Sequence, residues 1–313
     1  MARLFALVVV WFALLVAGPA ASAQDGPFTR HDSAATGELL PPRGTPTVRG
    51  QVVIGADDRI QVADTTVFPY SAIAFLELED AASDVLGTCT GTFIGPDALL
   101  TAAHCLWDAE TGNWLAEHIR VVPGRDSDFE PFGSQYASDW WIPDEYAATG
   151  SADWDWGVIK LPNDLLSLDT GWMSVTIAGT ETLERATFSP AIVGYPADKP
   201  AGTMWGRIQP AFLQVGVFRL FYDIDTAPGQ SGSAIWSAEE GPYLGLIVGI
   251  HTQGGAANSG ARIDQELLDD VLAGCAVMEC QVAVVDAPGS PSPGPAPLPP
   301  LPFRSYGPAL SRD

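Results

Sequence analysis

Ten apolar runs of five to ten residues, separated by Gly, Pro and Asp, fill the middle of the chain and restrict its fold more than any other feature. They are SAIAFLEL (71–78), GTFIG (91–95), ALLTAAH (98–104), HIRVVP (118–123), WGVIKL (156–161), MSVTIAG (173–179), ATFSPAIVGY (186–195), VFRLFYDI (217–224), GSAIWS (232–237) and YLGLIVGIHT (243–252). Runs of strand length bounded by turn formers predict an all-β sandwich or barrel and not alternating βαβ units. One helix is expected at 264–273. There Leu267, Leu268, Val271 and Leu272 share a face, Asp264 caps the start and Gly274 ends the element.

The two ends of the chain have a different character. Residues 4–17 (LFALVVVWFALLVA) follow Arg3 and lead to Ala21-Ser22-Ala23, the small-x-small form of a signal-peptidase site, so 1–23 is expected to be a secretion signal. The run is shorter than a spanning helix needs. Residues 24–51 are rich in Pro, Gly, Thr and Ser without apolar periodicity and are expected to be a propeptide or linker. The domain proper is expected over 52–285, dividing near 162–172, followed by a Pro-rich tail over 286–313. Eight prolines among residues 288–302 exclude helix and sheet from that stretch.

Export permits disulfides, and four cysteines allow three connectivities. Their clustering favours Cys89 with Cys105 and Cys275 with Cys280. Neither pair has C-x-x-C spacing, so no metal site is expected. A formal charge of −23 argues against nucleic acid or an anionic membrane as partner and fits a soluble, secreted monomer acting on protein or peptide substrates. No cofactor is expected.

Serine-dependent hydrolysis needs a hydroxyl, an imidazole to take its proton, a carboxylate to orient that imidazole, and donors for the oxyanion. Among four histidines, His31 falls in the expected propeptide and His118 in a polar stretch. His104 and His251 follow apolar runs, and His104 adjoins Cys105 in LLTAAHC. In ADWDWGVIKL, Asp155 precedes the apolar run directly and Asp153 lies two residues further out, which favours Asp155 as orienter. Of two candidate nucleophiles in GQSGS, Ser231 follows Gly229 closely enough for the N–H groups of both to converge on one oxyanion, whereas Ser233 begins a strand. The resulting order is His104, Asp155, Ser231.

From about Val52 to Leu272 the chain resembles the trypsin and chymotrypsin clan, and within it the bacterial glutamyl endopeptidases. The motifs are VIGADDRIQVADTTVFPYSAIAF, CTGTFIGPDALLTAAHC, VVPGRD, DWDWGVIKL, VGYPADKPAGTMW, DTAPGQSGS, GIHTQGG and ARIDQELLDDVL. The resemblance implies two six-stranded antiparallel β-barrels with the triad between them, a C-terminal helix, and the disulfide Cys89–Cys105. It implies hydrolysis after Glu, less readily after Asp, with Thr226 and His251 lining the specificity pocket. Asp225, six residues before Ser231, points instead to cleavage after Lys or Arg as in trypsin. A non-catalytic homologue that binds a partner is a third reading. Gln230 stands where trypsin has an aspartate that pairs with the freed N-terminus, and Ala234 where these enzymes commonly have proline. Glutamyl endopeptidases are expected to hold their mature N-terminal amine near the pocket, which makes cleavage near Arg49 to Val52 an expected activating step.

Overall fold

The computed structural model describes residues 27–33, 35–40, 53–238 and 243–286. The expected secretion signal, the expected cleavage region and nearly all of the Pro-rich tail lie outside the described residues. Two antiparallel sheets dominate. The first runs, in spatial order, Phe28–Asp32, Asp139–Pro143, Gly157–Lys160, Ala98–Thr101, Val85–Phe93, Ile73–Glu79, His118–Pro123 and Gln135–Tyr136. The second runs Gln214–Val215, Arg219–Tyr222, Asn258–Arg262, Ile247–Gln253, Ala234–Ser237, Pro190–Gly194, Trp205–Ile208 and Ile60–Gln61. Each sheet thus has six central strands and one further strand at either edge, which is how eight strands stand where six are expected.

The first sheet gains one of its two edge strands, Phe28–Asp32, from the expected propeptide. Phe28–Asp32 pairs over five residues with Asp139–Pro143, His31 stacks on Trp140 with ring centroids 4.1 Å apart, and Thr29 Oγ1 donates to Asp144 at 2.7 Å. A stretch without apolar alternation is ordered here by the contacts of His31 with Trp140 and Trp114, by Phe28 packed on the core, and by polar bonds. Deeper in this sheet four charges are buried together: Arg120 donates to Glu77 and Glu130, each at 2.8 Å, and Arg125 to Glu77 at 2.9 Å. Burial of ions is tolerated only with this degree of mutual pairing.

The segment 173–179 is not a strand. Met173 N donates to Phe93 O, Val175 N to Ala283 O and Thr176 N to Ile247 O, so its bonds go to three different partners and no ladder forms. Its apolar residues fill the space between the sheets, where Met173 and Val175 are buried. The C-terminal helix runs over Gln265–Met278, five residues beyond the expected end. Asp264 caps it by accepting from Leu267 N at 2.9 Å. Gly274 does not end it: a Cβ there would lie 2.3 Å from Trp141 Nε1, so the glycine serves close packing against the first sheet. Lys160 Nζ donates to Met278 O at 2.5 Å, placing a cation at the negative end of the helix dipole.

One buried cluster contains Leu76, Phe93, Leu99 and Trp141 of the first sheet together with Val193, Trp236 and Ile250 of the second. The two sheets therefore share a core, and side chains at their seam are held from both sides.

Candidate active site

Strand register brings His104 and Asp155 together. Gly157 pairs with Thr101 in the antiparallel ladder between Gly157–Lys160 and Ala98–Thr101, so residues just before Gly157 and just after Thr101 emerge at the same end. His104 sits there in a short turn over Ala103–Cys105, which the disulfide Cys89–Cys105 ties to the neighbouring strand. Asp155 is buried, accepts from His104 N–H at 3.0 Å through one oxygen and lies 2.8 Å from His104 Nδ1 through the other. Burial opposes protonation of His104, but the charge and hydrogen bond of Asp155 outweigh it and raise the pKa above 6.5. A third of the His104 side chain remains exposed, so the ring borders solvent on its far side. Asp153 is exposed and two residues away.

The two serines differ sharply. Ser231 is half-buried, whereas Ser233 is fully buried and its hydroxyl has no protein partner among the described residues. Thr90, next to Cys89, fastens the Ser231 turn to the first sheet. Its N–H donates to Ser231 O at 2.9 Å and its hydroxyl to Gly229 O at 2.7 Å. The sulfur of Cys105 is 3.7 Å from Ser231 O, which brings the Ser231 turn beside the His104 turn. Gly229 has φ +94°, a conformation that side-chain-bearing residues rarely adopt, and it turns the chain tightly before Ser231.

Thr226 and His251 are buried in the second sheet region. His251 Nδ1 is 2.6 Å from the hydroxyl of Tyr222, itself fully buried. Burial drives the His251 pKa down to about 3, with His104 acting in the same sense and a backbone hydrogen bond at Ser259 opposing, so the ring is neutral at ordinary pH. Asp225 is occupied elsewhere: its carboxylate accepts from Ile54 N–H at 2.7 Å and Asp58 N–H at 3.1 Å. His118 begins a strand of the first sheet beside Tyr136, and His31 lies on Trp140, so neither is drawn into this site. The second disulfide, Cys275–Cys280, closes the end of the C-terminal helix. No group of three or more His, Cys, Asp or Glu among the described residues is disposed to hold a metal ion.

A family model of the trypsin-like peptidase domain matches residues 89–246. The chain belongs to this family. Among trypsin-like relatives, a glutamyl endopeptidase of Bacillus licheniformis is 34% identical over 229 residues, covering 70% of this chain and 67% of that one. A Bacillus subtilis protein named extracellular metalloprotease is 28% identical over 228 residues, covering 72% and 70%. Among solved structures, a Glu endopeptidase in complex with MPD superimposes with a TM-score of 0.63 at 28% identity, covering 72% of this chain and all of that one. The chymotrypsin-like fold and the likeness to glutamyl endopeptidases therefore stand as the sequence motifs imply.

Two residues that bond to the candidate site, Tyr222 and Thr90, are not singled out by their residue type or local pattern. Tyr222 lies within an ordinary apolar run and Thr90 in a strand of threonines. Only the register of strands at the seam joins them.

Proposed function

We propose that the chain is a secreted, monomeric serine endopeptidase that hydrolyses protein and peptide substrates after Glu, and less readily after Asp. The observation that carries this is the His104–Asp155 pair: one carboxylate holds both the ring nitrogen and the backbone N–H of the same histidine. In this reading His104 is the base, Asp155 its orienter and Ser231 the nucleophile. Ser231 Oγ bonds to the scissile carbonyl carbon while its proton passes to His104 Nε2, and the carbonyl π pair becomes an oxyanion facing the N–H groups of Gly229 and Ser231. Collapse breaks the C–N bond, and the leaving amine takes the proton from His104. Water, deprotonated by the same ring, then displaces Ser231 from the acyl-enzyme. Asp155 stabilises the transient imidazolium at each stage without taking its proton.

Thr226 and His251 are the proposed recognition groups for the substrate carboxylate. Burial raises the pKa of Tyr222 well above its ordinary value, so its hydroxyl keeps its proton and can donate to His251 Nδ1. That leaves a neutral imidazole with its one ring N–H on Nε2, the donor that a substrate carboxylate would take over from the backbone acceptor at Ser259. The alternative, selection of Lys or Arg through Asp225, is disfavoured because both oxygens of that carboxylate already accept backbone N–H groups. The names of the relatives point the same way, and the name of the Bacillus subtilis relative describes it as extracellular.

A peptide panel varying only the residue before the scissile bond tests the specificity. Glu is expected fastest, and His251→Ala is expected to lose Glu cleavage while a serine-directed phosphonate still labels Ser231. Faster cleavage after Lys, or no labelling of Ser231 in the wild type, would overturn the reading. Cleavage near Arg49 to Val52 is the proposed activating step. Mass spectrometry of fully active enzyme is expected to find a mature N-terminus near Val52, and Gln24 there would refute it.

A further inference from the structure

The residue just before Ser231 is tied down by a side chain from far upstream. Gln230 is fully buried within the turn: its N–H donates to Ala227 O at 3.0 Å and its carbonyl accepts from Ser233 N at 3.0 Å. Its side chain cinches the same turn. Oε1 accepts from Ala227 N at 3.0 Å and from Arg59 Nη1 at 3.2 Å, and Nε2 donates to Trp205 O at 3.3 Å. Arginine has donors only, so the amide atom facing Arg59 has to be the oxygen, and that choice sets which atom is presented to Ala227.

Arg59 is itself rigid. Its side chain is wholly buried, Nε and Nη2 donate to Asp57 at 3.0 and 2.9 Å, and Nη1 donates to Asp198 at 3.0 Å. Lys199 reaches Asp57 at 2.6 Å, so two cations face two carboxylates and the cluster is neutral. Burial opposes the guanidinium charge, but Asp57 and Asp198 outweigh that and raise its pKa. Asp225, holding Ile54 N–H and Asp58 N–H, anchors the same segment a few residues away. The stretch 54–59 is thus bolted to 225–230 at both of its ends.

We propose that Arg59 is a positioning residue for the oxyanion site: through Gln230 it holds the 227–231 turn in the shape that aims the Gly229 and Ser231 N–H groups at the reacting carbonyl. A neutral amide read by an internal cation takes the place of the aspartate and free amine of trypsin. This rests on Ser231 being the nucleophile. Loss of Arg59 leaves Gln230 without its charged donor and lets the turn relax, which weakens binding of a tetrahedral oxyanion but not of a ligand that lacks one.

The test compares two ligands on the purified enzyme. One is an N-acetyl tripeptide aldehyde ending in the residue the wild type cleaves fastest, which forms a hemiacetal with Ser231; the other is the same tripeptide as its free acid. Removal of one oxyanion donor typically costs about 100- to 1000-fold in kcat, so a displaced pair in Arg59→Met is expected to weaken the aldehyde by roughly 10- to 100-fold. Free-acid affinity and KM should stay near the wild type, and Arg59→Lys should fall between. Equal weakening of both ligands, or of neither, would overturn the assignment. Should Arg59→Met fail to fold, Gln230→Leu removes the acceptor while leaving Arg59 with its aspartates, and the same selective loss is expected. A wild type that a phosphonate does not label at Ser231 would overturn the nucleophile and this inference together. A labelled wild type with unselective variants would overturn the role of Arg59 alone.

Discussion

Thr90→Val changes one buried hydroxyl and almost nothing else. Valine keeps the volume, the β-branching and the backbone bonds that Thr90 makes to Ser231 O and from Thr101 Oγ1. What disappears is a hydroxyl that donates to Gly229 O at 2.7 Å and accepts from Tyr195 N–H at 3.0 Å. Each of those backbone groups is then left buried without its partner, at about 1–3 kcal/mol apiece, or roughly 2–6 kcal/mol together. For a domain of this size each kcal/mol moves Tm by about 2–4 °C, so a fall of roughly 4–24 °C is expected. Because Gly229 O is one of the two groups released, kcat should fall as well. Thermal unfolding is best read in a Ser231→Ala background, which prevents self-digestion, with kcat measured in the active form. Thr92→Val is the matched control. It lies two residues along the same strand, is equally buried, and its hydroxyl has no protein partner among the described residues, so its loss should leave Tm unchanged or raise it. Thr90→Val melting with its parent, or Thr92→Val losing as much, would refute the reasoning.

The proposed mechanism requires neutral His104, whose folded pKa is raised above 6.5, so kcat/KM should climb with pH through a midpoint above that value; a midpoint at or below it would refute the pairing with Asp155. The stability the His104–Asp155 pair contributes has the opposite sign: it is fully present below the unfolded histidine pKa and is lost as pH rises through the folded one. Gly274→Ala should destabilise by about 1–2 kcal/mol in urea, because overpacking against Trp141 exceeds the helix-propensity gain; stabilisation would show the helix has room. Asp225→Ala should speed amide hydrogen exchange at Ile54 and Asp58, and unchanged protection there would show that the carboxylate does not hold the segment.

What could be read in advance follows the range of the interactions. Strands buried on both faces, such as Ile73–Glu79 and His118–Pro123, appear as apolar runs and were placed within a residue or two. Asn258–Arg262 carries Asn, Ser, Gly, Ala and Arg and has no such run, yet it pairs with both of its neighbours in the second sheet, since flanking strands can supply the apolar surface. The segment 173–179 has the run and no strand, because its partners are scattered. At the site, His104, Asp155 and Ser231 are legible from residue type and local context. The partners of His251 and Gln230 are not, since Tyr222 and Arg59 become neighbours only when the second sheet is assembled. Asp225, six residues before Ser231, suggests a pocket floor by spacing alone, whereas in the fold its carboxylate accepts two backbone N–H groups.

The strand Phe28–Asp32 has a consequence for any chain that is folded without it. Asp139–Pro143 would then become the outermost strand, with a row of unpaired N–H and C=O groups and the face of Trp140 laid open beside them. Such a border recruits other chains by strand addition, so a chain made without the strand is expected to self-associate and precipitate, whereas an enzyme cut near Val52 after folding stays monomeric as long as the released strand remains paired.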